Sequence, residues 1–278
     1  MPHAIRSIGW ALYAATSWTW CIGLYLPVIL MQWFGWSGFL LIAIPNCIGA
    51  AAMGLFLGSP SASRRFCRRN ATLIRNFEFI TIGFHLVFLA IVGTWFFESS
   101  DLRILTWALP LGGLIVGLIV ASVPKAWWPV LGMIVFAFGG LVVINNGPEW
   151  NAPGWMGTRP LTDLIWFSPI FIVGFLVCPW LDGPFHRARQ ETNGPLSSLV
   201  LGGAFLCMLF VTATYWWLDS GTATITVLVW LIGQSIFTIA ANLREALWGI
   251  GSDGRKTSWF VGSVVALCIA YLWLAPNW

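Results

Sequence analysis

Charge is what this sequence lacks most. Only 9% of its 278 residues are charged, against 58% hydrophobic, and the mean hydropathy is +0.81. A chain of this makeup cannot cover itself with a water-compatible surface, which excludes a soluble globular domain. The short apolar–polar alternation of a membrane β-barrel is missing too, because LPLGGLIVGLIVASV and FIVGFLVC run without a break. The six cysteines (Cys21, Cys47, Cys67, Cys178, Cys207 and Cys268) follow no framework spacing and mostly fall inside apolar runs, so buried free thiols are expected. There is no HxxxH, HExxH or paired-acid motif, so neither an enzyme nor a transition-metal site is expected. The first apolar run has span length and no clear small-residue cleavage site, and it reads as a retained helix.

What is present is a series of apolar runs of about 18 to 25 residues, each long enough to cross ~30 Å of hydrocarbon as a helix. Nine spans are expected, at 7–32, 36–58, 73–97, 102–122, 126–145, 161–184, 196–217, 222–246 and 258–276, giving an all-α polytopic bundle in one membrane domain. Longer connections occur at the arginine-rich 59–72, at the Pro/Gly/Trp-rich 146–160 and at the polar 185–195. Sorted between alternate sides, only Arg103 and Arg159 of the 14 basic residues fall opposite the rest. By the positive-inside rule the amino terminus is cytoplasmic and the carboxyl terminus outside. Trp33, Trp36, Trp95, Trp150, Trp155, Trp216, Trp217 and Trp273 then lie near outer ends, as an interfacial belt would. The expected location is a bacterial cytoplasmic (inner) membrane. SRRFCRRN serves as topology signal and contact for anionic lipid headgroups, and the net charge of +4 implies no nucleic-acid partner.

Several spans carry residues that a lipid-facing helix would avoid. In TSWTWCIGLYLP, Thr16, Ser17 and Thr19 sit near mid-span ahead of Pro27. Either these hydroxyls and Gly23 serve helix packing, or the helix unwinds and its carbonyls offer oxygen ligands to a hard cation such as sodium. The sixth span holds Pro169, Pro179 and Pro184 with Gly174 and Gly183, so it is expected to kink or break. Asp182 follows, either facing His186, Arg187 or a cation, or lying at headgroup level among the next basic residues. Span two contains Pro45 and Asn46, and span three carries Glu78 and His85 on one face, where His85 would relay protons or make a structural hydrogen bond. In span eight Gln234, Thr238 and Asn242 form a polar stripe beside Ser235, facing a cavity or a packed helix. Glycine clusters at 112, 113 and 117, at 139 and 140, and at 202 and 203 read as helix-packing faces.

Five spans precede the long outer loop and the next span is broken again, which inverts the second half relative to the first. On SWTWCIGLYLP at 17–27, FSPIFIVGFLVCPWLDGPFHRAR at 167–189 and the polar residues of span eight, the chain resembles the amino-acid and sodium-solute symporter superfamily. Its members have two inverted five-helix repeats with discontinuous first and sixth helices. The resemblance implies a repeat over 1–150 and a shortened one over 151–278, and cation-coupled movement of a small organic solute by alternating access. It places a sodium ion among Ala14, Ser17, Trp20, Ser235 and Thr238, and the solute against Trp18, Cys21, Gly23, Cys178 and Pro179. Asn46, His85, Asp182 and Gln234 would take gating or proton-linked parts. Only four spans follow the long outer loop, one short of a second five-helix repeat, so a homodimer or partner subunit would supply the lost packing. The alternatives are a non-transporting interaction or sensory subunit that keeps the fold, and an intramembrane enzyme using His85, Asp182, His186 or Glu191.

Overall fold

A computed structural model describes residues 3–18, 21–97, 104–146, 156–192, 196–214 and 224–249. The expected ninth span and Trp20 lie outside the described residues. Among the described residues there is no strand, and five helices are long and apolar enough to cross a membrane. The protein is an all-α integral membrane bundle.

The first expected span consists of two helices, α1 (His3–Ser17) and α2 (Cys21–Phe34). Gly35, with φ 58°, makes the sharp turn into α3 (Trp36–Phe56) that a residue with a Cβ would strain to make. The arginine-rich connection is itself a helix, α4 (Pro60–Arg69). Ser59 caps it by accepting from the Ala62 amide at 3.2 Å, and Pro60 fills the first helical position, where no N–H is needed. Then come α5 (Ala71–Phe97), α6 (Ile104–Ala121), a 3₁₀ turn at Lys125–Trp127 and α7 (Trp128–Asn146).

The sixth span departs from expectation. Helix α8 (Leu161–Leu181) runs unbroken through Pro169 and Pro179 and stops at Asp182, and the polar connection expected next is helix α9 (Gly183–Glu191). Asp182 ends one helix and caps the next, its Oδ1 accepting from the Phe185 amide at 3.1 Å with Pro184 in the first turn. Helices α10 (Leu196–Thr214) and α11 (Thr224–Arg244) follow, the latter running into one wide turn at Glu245–Gly249.

Lipid tails are as apolar as leucine, so helices in a bilayer are held by close packing and polar contacts rather than by flight from water. Helix α1 is central and packs against α7, α9, α10 and α11, with Tyr13, Ala14 and Ala15 wholly buried. A Cβ on Gly132 of α7 would lie 2.6 Å from the Tyr13 Cα, and one on Gly49 of α3 would lie 2.5 Å from the Leu176 carbonyl oxygen of α8. Gly113, Gly117 and Gly139 likewise meet Leu89, Ile239 and Trp230 closely, as packing glycines should. Gly112, Gly140 and Gly203 meet nothing within 4 Å and are not packing contacts among the described residues. Helix α8 leans on α3 along one face and leaves Ile165, Trp166, Ile170 and Val173 exposed, the surface a lipid-facing helix presents.

Candidate functional site

At the end of α1 the Ala14 carbonyl accepts an ordinary helical bond from the Trp18 amide (3.1 Å) and a second bond from the Ser17 hydroxyl (2.9 Å). The Thr16 carbonyl accepts from Gln234 Nε2 of α11 at 2.6 Å, which ties the end of α1 to α11.

Trp18 lies at the interruption, 5% exposed, stacked against Phe77 with the edges of Phe185 and Phe205 closing round it. Its indole N–H donates to Asn46 Oδ1 at 3.1 Å, and Asn46 Nδ2 donates to the Ile42 carbonyl at 2.9 Å. That answers how an amide is tolerated in the middle of α3. Above this pair opens a cavity of about 220 Å³ between α1, α2, α3, α8 and α10, lined by Trp18, Leu26, Pro27, Ile42, Asn46, Ile170, Phe171, Gly174, Phe175, Cys178 and Leu209. Among the described residues no Asp, Glu, His, Lys or Arg lines it. Pro27 and Pro179 each remove a helical N–H, and the latter leaves the carbonyl of Phe175, a residue of this lining, without its helical donor.

Of the residues expected to contact solute, Trp18 and Cys178 line this cavity. Pro179 is buried one residue beyond and Cys21 and Gly23 lie on the first turn of α2. The expected break at Cys178 and Pro179 is corrected to Asp182, because a proline within a helix costs one hydrogen bond, whereas the Asp182 cap offers α9 a new start.

The expected cation ligands come together only in part. Ser17, Thr16, Gln234, Ser235 and Thr238 are all fully buried where α1 meets α11. The Ala14 carbonyl and Ser17 hydroxyl are engaged with each other, and Thr238 Oγ1 donates to the Gln234 carbonyl at 3.1 Å. Ser235 Oγ, Gln234 Oε1 and Asn242 Oδ1 have no hydrogen-bond partner among the described residues. Three oxygens on one stripe of α11 thus remain unmatched inside the protein, beside an amide that already occupies the Thr16 carbonyl.

A second polar centre surrounds the α8–α9 junction. Asp182 is fully buried, and its side chain accepts from the Phe185 amide rather than pairing with the side chain of His186 or Arg187. Glu78, also fully buried, reaches across from α5 to accept from the Gly183 amide. His85, the residue grouped with Glu78 on sequence, bonds through Nδ1 to the Thr81 carbonyl at 2.9 Å, a structural contact. Arg187 makes a two-point pair with Glu245, Nε to Oε1 at 3.0 Å and Nη2 to Oε2 at 2.9 Å. Burial works against its charge, but the facing Glu245 carboxylate more than offsets this and raises its pKa above the usual value. His186 stacks on Phe66, and its Nε2 donates to the Trp180 carbonyl (2.9 Å) while Nδ1 accepts from the Ser63 hydroxyl (3.0 Å). Burial pushes its pKa down to about 4, so it is neutral at pH 7. Glu191 closes the far end of α9 against Arg6 at 2.9 Å and Lys125.

Among the described residues no group of three or more His, Cys, Asp or Glu is arranged to hold a metal ion. No family model matches the chain, and no curated protein or solved structure matches it.

Proposed function

We propose that this protein is a secondary transporter that moves a small organic solute by alternating access. The carrying observation is the partly open space between the interrupted first span and α8, lined in part by the Trp18–Asn46 pair. At about 220 Å³ it falls below the range of drug-sized pockets, and its uncharged lining fits a small neutral, largely apolar solute better than a cationic or zwitterionic one. The solute would meet Trp18, Asn46, Phe175 and Cys178, with Cys21, Gly23 and Pro179 close by. On this reading nine spans run from a cytoplasmic amino terminus through two inverted repeats, in a bacterial inner membrane. Movement of α8 and α9 against α1 exposes the space to each side in turn.

Coupling would come from a cation that stabilises one arrangement over the other. Sodium would sit between the α1 end (Ala14, Ser17, Trp20) and Ser235 and Thr238, displacing the Gln234 amide from the Thr16 carbonyl. The position of that amide also favours a second reading, a non-transporting interaction or sensory subunit in which Gln234 permanently takes the place of the ion.

A thermal-shift screen of small neutral solutes, run with sodium or choline chloride, tests both. Gly174 faces open space, so Gly174→Phe fills the cavity without a clash. Transport predicts solutes that stabilise the parent protein and lose that effect in Gly174→Phe, and a sodium-dependent shift that Ser235→Ala with Thr238→Ala removes. Identical melting of all three proteins in every condition would leave the subunit reading standing.

A further inference from the structure

The α8–α9 junction holds two buried carboxylates at a single helix end. Glu78 Oε1 accepts from the amide of Gly183 and Asp182 Oδ1 from that of Phe185, two residues further along the first turn of α9. The second oxygen of each, Glu78 Oε2 and Asp182 Oδ2, is buried with no hydrogen-bond partner among the described residues. An ionised carboxylate buried in protein with a bare oxygen is costly, and here there are two side by side.

Among the described residues no cation is ion-paired with either carboxylate. On α5, Arg75 stands three residues before Glu78 and makes no ion pair with it. From α9, Arg187 is spent on Glu245 and Glu191, Arg189 is bound to the Thr192 carbonyl, and His186 is neutral and turned to Ser63 and Trp180. From the turn after α11, Glu245 adds negative charge already matched by Arg187, and Arg244 is bound to the Ala121 and Val123 carbonyls. From α1, Tyr13 lies within electrostatic range of Glu78, Asp182 and Glu245, with its hydroxyl buried and unbonded, while Arg6 is at Glu191. From α4 only the Cys67 thiol senses Glu78, and from α8 only Cys178 senses Asp182. Helices α3 and α6 carry no charged residue. What remains is the α9 N-terminus, whose partial positive charge, about half an elementary charge, suits one carboxylate and not two.

We propose that Glu78 and Asp182 form a proton-binding site that holds one proton between them at neutral pH, one carboxyl donating through its O–H to the free oxygen of the other. One added proton satisfies both bare oxygens and leaves a single negative charge against the helix end. Like charges held this close do not both ionise, so the proton belongs to the pair rather than to either residue. Swinging α9 away from α5 parts the two acids and releases the proton, which ties the position of the α8–α9 junction to pH. The site holds its proton whether or not the protein moves a solute, and so stands apart from the transport reading.

Infrared spectroscopy of the full chain in lipid nanodiscs reads this directly, through the carbonyl stretch of a protonated carboxyl group. At pH 7.5 the parent protein is expected to show such a band, shifted on deuteration and lost as the pH is raised. Glu78→Gln and Asp182→Asn keep the shape and the amide contacts of each side chain. Each is expected to abolish the band, because the remaining carboxylate, freed of its like-charged neighbour, ionises against the helix end. Absence of the band in the parent protein overturns the proposal without recourse to any variant. Survival of the band in either variant shows a carboxyl protonated by burial alone, and overturns the sharing. Loss of the band on adding sodium chloride but not choline chloride shows a metal cation in the site, and overturns the assignment of its occupant.

Discussion

Arg187 and Glu245 show how single residues hold the polar centre at the α8–α9 junction together. Glu245 is almost fully buried, so Arg187→Met leaves its charge uncompensated. The expected loss is about 3 to 5 kcal/mol in reversible unfolding followed by circular dichroism. Arg187→Met with Glu245→Leu should recover most of it, and an equal loss in single and double variants would show that the pair contributes shape rather than charge. His186 gives a pH dependence of definite sign. Its folded pKa of about 4 lies below the ordinary value of 6.5, so the unfolded chain binds the proton first as pH falls. The His186 contribution to stability is constant above pH 6.5, declines by roughly 3 kcal/mol between 6.5 and 4, and does not change further below 4. In His186→Gln the decline of the unfolding midpoint over that window should shrink; an unchanged slope would assign it to other groups. Sequence alone marked Asp182, Gln234 and Asn46 as polar residues in apolar surroundings. It missed the part played by Glu78, whose partner lies 105 residues away at Gly183, because one sequence carries no signal for a contact that only folding creates.

Among elements, the helix ends were more legible than they were read to be. Ser59–Pro60 and Asp182–Gly183–Pro184 both place a capping side chain before a first-turn proline, the pattern that opens a helix. Apolar length obscured it, since the sixth span was bounded by hydropathy and the cap was absorbed into its end. Pro169 and Pro179 do not break α8, which continues through both as α2 and α3 continue through Pro27 and Pro45, because neighbouring helices and local adjustment tolerate one missing bond. The contact that sets the cavity wall is made by Gly49, where α3 and α8 touch backbone to backbone. Gly49→Leu should therefore push α8 outward and destabilise the protein by about 1 to 3 kcal/mol, with tryptophan fluorescence changed through Trp18. Gly112→Leu, facing open space on α6, is the matched control and should change neither.

At the scale of the whole molecule, hydropathy settled the class, and the shortage of charge left no room for anything but a membrane bundle. It could not tell which helix lies at the centre. That place falls to α1, because its alanines and Ser17 let four neighbours approach while Gln234 donates to the Thr16 carbonyl and Asn46 accepts from the Trp18 indole at its end. A core built around an interrupted helix, with an outer helix α8 resting on one partner, is an arrangement in which one layer can move against another. Access to the cavity from both faces of the membrane is the property on which the transport reading turns. It is measured most directly by placing Gly174→Cys in a protein whose six native cysteines are serine, and labelling it with a membrane-impermeant maleimide in right-side-out and inside-out vesicles. Alternating access predicts labelling in both preparations; labelling in only one of them, or in neither, would contradict it.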